Sequence, residues 1–374
     1  MSSPAWFARP DARHWTCDPP PGAVRAFHES LPDHAATPLV DLPDLAAELD
    51  VGTVVVKDES SRFGLPSFKV LGASWAIADV VATRAGLSPD ALTWDRVRAV
   101  AHDHPVHLVT ATDGNHGRAV ARLASDLDLP ATILAPSTVP AGAISAIERE
   151  GARVEVLDVD YDTTVGRAAD LARDLPDGAL VQDTAWEGYT RVPARIVEGY
   201  ATMLEEVDDQ LAARGLPAPG LLVVPVGVGS LAQAVVTHAR SRGPGTRAPA
   251  VLAVEPTSAA CVLASLRKDE RTTVATQDTV MAGLNCGTPS ALGWPVLHAG
   301  LDAACTVGDD QARAASDDLG DHGVSSGPSG AATLAGARQV LAGPGAPGRR
   351  DTLGLRPDDV VVLLSTEGTA ATAS

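Results

Sequence analysis

The feature that most constrains this chain is a repeated alternation. Strand-length apolar runs recur along it: "TVVVK" (53–57), "HLVTA" (107–111), "ATILA" (131–135), "RVEVL" (153–157), "LLVVPV" (221–226), "VLAVE" (251–255) and "VVVLLS" (360–365). Between them lie Ala-rich, helix-like segments such as "GRAVARLASDLDL" and "SLAQAVVTHARS". Near-continuously apolar strands separated by helices predict a parallel sheet covered on both faces. That is an α/β, doubly wound architecture. No internal repeat breaks the pattern, and the polar stretch 82–106 marks a candidate lobe boundary.

Composition narrows the function. The 374 residues, 45% of them hydrophobic, suffice for two lobes. Aromatics are only 3%, so the core must be built from Ala, Val and Leu. A net charge of −18 repels phosphate backbones, so no nucleic-acid partner is expected. The four cysteines (17, 261, 286, 305) form no CxxC, and no Cys/His pair has zinc-site spacing. Reduced thiols and no metal are expected. The N-terminus "MSSPAWFARPDARHW" lacks the apolar core of a signal peptide, and no apolar run is long enough to span a bilayer. A cytoplasmic protein without a membrane partner is expected.

In open α/β sheets, ligands bind beyond the carboxyl ends of strands. After "LLVVPV" comes "GVGSLA", in which Gly227, Gly229 and Ser230 open a helix. Such a turn offers backbone N–H groups to a phosphate. It also fits the dinucleotide pattern G-x-G-x-x-A, with Glu255 at roughly the place of the ribose-binding acid. A ligand-free tight turn fits as well. After "HLVTA" comes "TDGNHG", where Asp113, Asn115 and His116 crowd hydrogen-bonding capacity into a glycine-punctuated loop. Each alone reads plainly as a cap or a turn residue. After "VVVLL" comes "STEGT" (365–369), and after "ALVQ" comes "DTAWEGY" (183–189), a second loop with an acid, Asp183, and aromatics.

Lys69, in "GLPSFKVLGASWA" (64–76), is the outlier. Burying an ammonium is expensive, so a lysine inside an apolar run invites a chemical explanation. A nicotinamide dehydrogenase needs no lysine there. A Schiff-base enzyme does. Pyridoxal phosphate requires a lysine amine, an anion site, a donor to the ring oxygen and a partner for the ring nitrogen.

"SFK" before a helix, "GNHG", "GVGS" and a last strand ending in Ser resemble the fold-type II pyridoxal-phosphate enzymes, relatives of tryptophan synthase β, threonine deaminase and cysteine synthase. Within that group the chain most resembles the diaminopropionate ammonia-lyases, through "KDESSRFGL" (57–65), "TATDGNHGR" (110–118), "QDTAWEGYTRVP" (182–193), "VGVGS" (226–230), "MAGLNCGTPSALGWPVL" (281–297) and "LLSTEG" (363–368). The resemblance implies two doubly wound open-sheet lobes with the cofactor in the cleft, and a homodimer. Residues 1–79 and 201–374 would form the larger lobe, and 80–200 a smaller inserted one. It implies that Lys69 binds the cofactor aldehyde and moves protons at Cα, that Phe68 flanks the ring, and that Asn115 hydrogen-bonds its oxygen. Gly227, Val228, Gly229, Ser230 and Leu231 would cradle the phosphate, and Ser365 or Thr366 would meet the pyridine nitrogen. Thr112, Asp113, Gly114, Asn115 and His116 would bind the substrate carboxylate through backbone amides, with Asp113 and Asp183 as the acids near the substrate.

The expected reaction is β-elimination of ammonia from 2,3-diaminopropionate. A hydroxyl does not hold the ring nitrogen protonated as a carboxylate would, so expulsion of a β-substituent competes well. Where threonine deaminases carry a small residue, Asp113 places a carboxylate that would meet a cationic leaving group. It could also take a proton at Cα on the face opposite Lys69. A serine/threonine dehydratase or β-replacement enzyme is the alternative. A dehydrogenase leaves Lys69 and Asn115 without roles, and a non-catalytic relative would have lost the lysine or the glycine loop. One departure stands out. The usual S-G-E-S-G is here "SGPSG" (326–330), and Pro328 removes a carboxylate and an N–H donor.

Overall fold

The computed structural model describes residues 5–88, 92–243 and 246–371. The chain divides into two compact units. The first comprises Met1–Pro20, Ala36–Ser61 and Met203–Thr369, and the second Pro21–Ala35, Arg62–Thr202 and Ala370–Ser374. The boundary expected at residue 79 falls inside the helix Lys69–Arg84, which belongs wholly to the second unit.

Eleven strands are present among the described residues: β1 Trp6–Ala8, β2 Leu39–Asp41, β3 Thr53–Asp58, β4 His107–Ala111, β5 Ala131–Pro136, β6 Arg153–Leu157, β7 Gly178–Leu180, β8 Leu221–Pro225, β9 Ala250–Pro256, β10 Ala303–Val307 and β11 Val360–Ser365. The first unit holds a seven-stranded sheet in the order β1-β10-β9-β8-β11-β3-β2. Its five inner strands are parallel, and β1 and β2 pair antiparallel at the edges. The mixed edges depart from a purely parallel expectation, as is common in large α/β sheets. The second unit holds a parallel sheet, β6-β5-β4-β7.

The valine-rich runs are central because they can be buried on both faces. Val54, Val55 and Val56 of β3, and Val361 through Leu364 of β11, are shut off from solvent. β6 differs. It carries Arg153 and Glu155 and leaves Val156 exposed, as suits an edge that must not recruit another strand. No helix among the described residues is long and apolar enough to cross a membrane.

One helix pair in the second unit fixes where Lys69 stands. The helix Lys69–Arg84 buries residues from Val70 to Ala82 almost all round. It crosses the helix Arg191–Gly199 at two glycines. A Cβ on Gly72 would come within 2.7 Å of Ile196 Cγ2 and Tyr200 Cε1, and one on Gly199 within 2.7 Å of Gly72 Cα. No larger residue fits this backbone approach without moving a helix. The crossing brings Tyr200, which caps the second helix, against the N-terminal turn of the first.

Candidate active site

Lys69 is the first residue of its helix, and its side chain remains 21% exposed. Nζ donates to Asp183 Oδ2 at 2.6 Å and lies 5.5 Å from the Phe68 ring centroid. Burial lowers its proton affinity, but Asp183, Tyr200 and Asp113 together more than reverse this, so Lys69 titrates above an ordinary lysine. It stands as an ammonium held by a carboxylate.

The two acids of the site are pushed apart. Burial works against the Asp183 anion, yet Lys69 and His116 outweigh it and hold the carboxyl well below the usual range. Asp113 goes the other way. Burial dominates there, the charge of Asp183 adds to it, and Lys69 offsets only part, so its carboxyl titrates above the usual range. Neighbouring acids with opposed shifts are the pattern of a division of labour: one stays anionic while the other can exchange a proton. Asp183 is also steered by its neighbour. Gln182, fully buried, donates to Asp183 Oδ1 at 3.3 Å and to Tyr161 Oη at 3.0 Å, and accepts at 3.0 Å from both Thr110 Oγ1 and the Ala111 N–H. The loop behind it is held by Tyr189, which stacks on Trp186 at 4.5 Å and accepts from the Gln182 N–H at 2.9 Å.

The loop after β4 is pinned from within. Thr112 Oγ1 accepts from the N–H groups of Gly114 (2.9 Å) and Gly117 (2.8 Å), and the Thr112 N–H donates to Leu134 O at 3.0 Å. The amides of Thr112 and Gly114 are therefore engaged within the protein rather than offered to a substrate carboxylate. Gly114 takes φ +146°, which only glycine adopts readily, and a Cβ on Gly117 would lie 2.5 Å from Thr112 Cγ2. Asn115 opens the helix Asn115–Asp126. His116 is buried. Its Nε2 donates to Val181 O at 2.7 Å, and Nδ1 has no partner among the described residues. Lys69, Asp113, His116 and Asp183 thus converge within one unit. Two residues at the site escaped the sequence: Gln182, which precedes Asp183 in "QDTAWEGY" and is overshadowed by it, and the neighbouring Tyr200, which no motif marks.

In the first unit, Gly227–Leu231 runs from the end of β8 into the helix Ser230–Arg240. Gly229 caps that helix at φ +97°, and a Cβ there would meet Leu297 Cδ1 at 2.7 Å. A Cβ on Gly227 would come within 3.0 Å of Cys286 Sγ and Gly283 O. Close packing on Leu297, Cys286 and Gly283 keeps both positions glycine, at the start of a helix whose N–H groups are the kind that can bind a phosphate. The rival use of this loop fails on Glu255. That carboxylate is fully buried and accepts from the N–H groups of Val262 (2.8 Å) and Leu263 (2.7 Å), so it caps a helix and is not presented to a ribose. Burial outweighs the two amides and pushes its pKa up to about 8.

At the end of β11, Ser365 Oγ donates to Ser326 Oγ at 2.8 Å, both residues being buried. Gly330 makes room for the pair, since a Cβ there would lie 2.9 Å from Ser326 Oγ and from Thr366 N. Pro328 starts the helix Pro328–Leu341, the one position where its missing N–H costs nothing. Glu367 Oε1 accepts from the next N–H, Ser329, at 3.3 Å. A carboxylate therefore stands at this helix N-terminus even though position 328 lacks one.

A lysine at a helix start, a glycine cradle and a buried hydroxyl at a strand end suit a pyridoxal-phosphate enzyme. The family described as "Pyridoxal-phosphate dependent enzyme" matches residues 31–367, and the chain belongs to it. It is 35% identical over 351 residues to the diaminopropionate ammonia-lyase of Escherichia coli (strain K12), covering 92% of this chain and 87% of that protein. Two crystal structures of the E. coli enzyme superpose on it. The complex with D-serine gives a TM-score of 0.87 at 32% identity, covering 98% of this chain and 95% of that one. The complex with an aminoacrylate–pyridoxal-phosphate azomethine reaction intermediate gives 0.83 at 33%, covering 97% and 90%.

Proposed function

We propose that this enzyme eliminates ammonia from 2,3-diaminopropionate, which with one water yields pyruvate and two ammonia. The observation that carries this is the pair of acids beside Lys69, one held anionic and the other raised. Pyridoxal phosphate would be held by Lys69, Phe68 and Asn115, by the backbone of Gly227, Val228, Gly229, Ser230 and Leu231, and by Ser365 or Thr366. The chemistry it supplies when bound is an electron sink for the pair left at Cα.

The protein's own groups do the rest. Lys69 Nζ, at the N-terminus of a rigid helix, carries a proton to or from Cα. Asp183 stays ionised and receives the β-ammonium of the substrate once Lys69 is engaged elsewhere. That charge-assisted hydrogen bond favours a substrate whose leaving group is cationic, and a hydroxyl cannot replace it. Asp113, with its raised pKa, exchanges a proton at Cα on the face opposite Lys69. With a proton acceptor on each face, both D and L substrates react. The glycine loop and the Ser365 hydroxyl hold and orient without adding charge.

The test is pyruvate release from D- and L-2,3-diaminopropionate and from serine, with 2-oxobutyrate release from threonine. Diaminopropionate should win by at least about tenfold, the worth of one charged hydrogen bond. A clear preference for serine or threonine would turn the assignment to a dehydratase. The homodimer implied by the family resemblance is checked by light scattering, and the cytoplasmic location by fractionation.

A further inference from the structure

Tyr200 lies beside this machinery without a part in it. It is 1% exposed, and its hydroxyl has no hydrogen-bond partner among the described residues. A buried phenol without a partner is costly, and native proteins rarely keep one without a use. Its placement is also tightly built. The ring packs on Phe68 with centroids 4.7 Å apart, and glycine at position 72 is what admits its Cε1 edge. Phe68 and Gly72 flank Lys69 in sequence, so both of the phenol's supports belong to the turn that carries the lysine. The groups that act on it electrically are Lys69 and Asp183.

We propose that the Tyr200 phenol is a second oxygen for the side-chain ammonium of the substrate, beside Asp183, and so helps select a diamino acid over a hydroxy amino acid. This rests on the functional reading above. In this structure Asp183 Oδ2 accepts from the Lys69 ammonium at 2.6 Å, and the Phe68 ring on which Tyr200 packs lies 5.5 Å from Lys69 Nζ. When Lys69 is engaged elsewhere Asp183 is left to receive another ammonium. A phenol suits the place beside it. Burial keeps it protonated, so it supplies an acceptor lone pair without a further negative charge beside that of Asp183. The substrate's arrival also satisfies an oxygen that otherwise goes without a partner.

The experiment compares wild type with Tyr200→Phe, which keeps the ring and its packing and removes only the hydroxyl. For each, kcat/KM is measured with 2,3-diaminopropionate and with serine on one preparation, together with Tm and cofactor content. For diaminopropionate, kcat/KM should fall about tenfold or more, while for serine it changes less than about threefold. Tm should hold or rise, because a buried unpaired oxygen has gone. The ratio of the two substrates does not depend on the folded fraction, so a fall of both together, or of neither, overturns the proposal. Failure of the broader assignment looks different, because the wild-type enzyme itself would then prefer serine.

Discussion

Lys57 and Lys69 lie twelve positions apart in sequence and are both removed from bulk water, yet the protein treats them in opposite ways. Lys57, at the end of β3 in the first unit, is 0% exposed, and its Nζ is fully occupied. It donates to Glu206 Oε2 at 2.6 Å, Thr37 O at 2.8 Å and Gln210 Oε1 at 3.0 Å, which uses every proton of an ammonium. Lys69, in the second unit, keeps some exposure and sits beside two acids of different character. Burial therefore does not mark the lysine proposed for chemistry. What marks it is an incomplete, unequal set of partners that a reaction can exchange.

Substitutions should separate the two lysines cleanly. Lys69→Ala should abolish turnover and the visible absorbance of lysine-bound cofactor. A variant that still carried a borohydride-reducible cofactor link would place the reactive lysine elsewhere. Lys57→Met should do the reverse. It removes the ammonium from the buried Lys57–Glu206 ion pair and should cost about 3–5 kcal/mol of stability, read by denaturant unfolding, while turnover per folded molecule persists. Comparable loss of activity in the folded fraction would join Lys57 to the active site.

Smaller effects sharpen the contrast between the acids. Asp113→Asn should lower turnover of one enantiomer of diaminopropionate, the one whose Cα proton faces away from Lys69, about 100-fold or more, with cofactor content unchanged. Because the Asp113 carboxyl is raised and must be ionised to accept a proton, the wild-type rate should fall on acidification at a pH above the usual carboxylate range, and the variant should lose that limb. An unchanged pH profile would assign the limb to another group. Smallest is Gly229→Ala. The left-handed backbone there costs alanine about 1–2 kcal/mol, so cofactor affinity, measured by dialysis and fluorescence, should fall about tenfold while the Lys69 ion pair stays intact. An unaffected affinity would remove the loop from the phosphate site.

Much of this was legible in the sequence, for physical reasons. Runs such as "VVVLLS" can only be doubly buried strands, and their observed ends fall within about a residue of those expected. β10, "AACTV", escaped because its small residues give little apolar signal, and β1 and β2 because three-residue edge strands carry almost none. The two acids beside Lys69 were visible because each closely follows a strand. Tyr200 was not, since its position depends on the contact between Gly72 and Gly199, which no local pattern records. Glu255 misled because a helix-capping acid and a ribose-binding acid occupy the same place at a strand end. Pro328 suggested a lost carboxylate, and Glu367, far along the chain, stands near the same helix start.

The strand order has a consequence for how the molecule comes into being. β11, the last of the described strands in sequence, lies between β3 and β8, so these two strands have no common neighbour until position 365 is available. The four strands of the second unit fall within residues 107–180 and can pair much earlier. For most of its synthesis the nascent chain therefore carries a half-sheet with open edges, and a truncation just before β11 would leave those edges exposed for good.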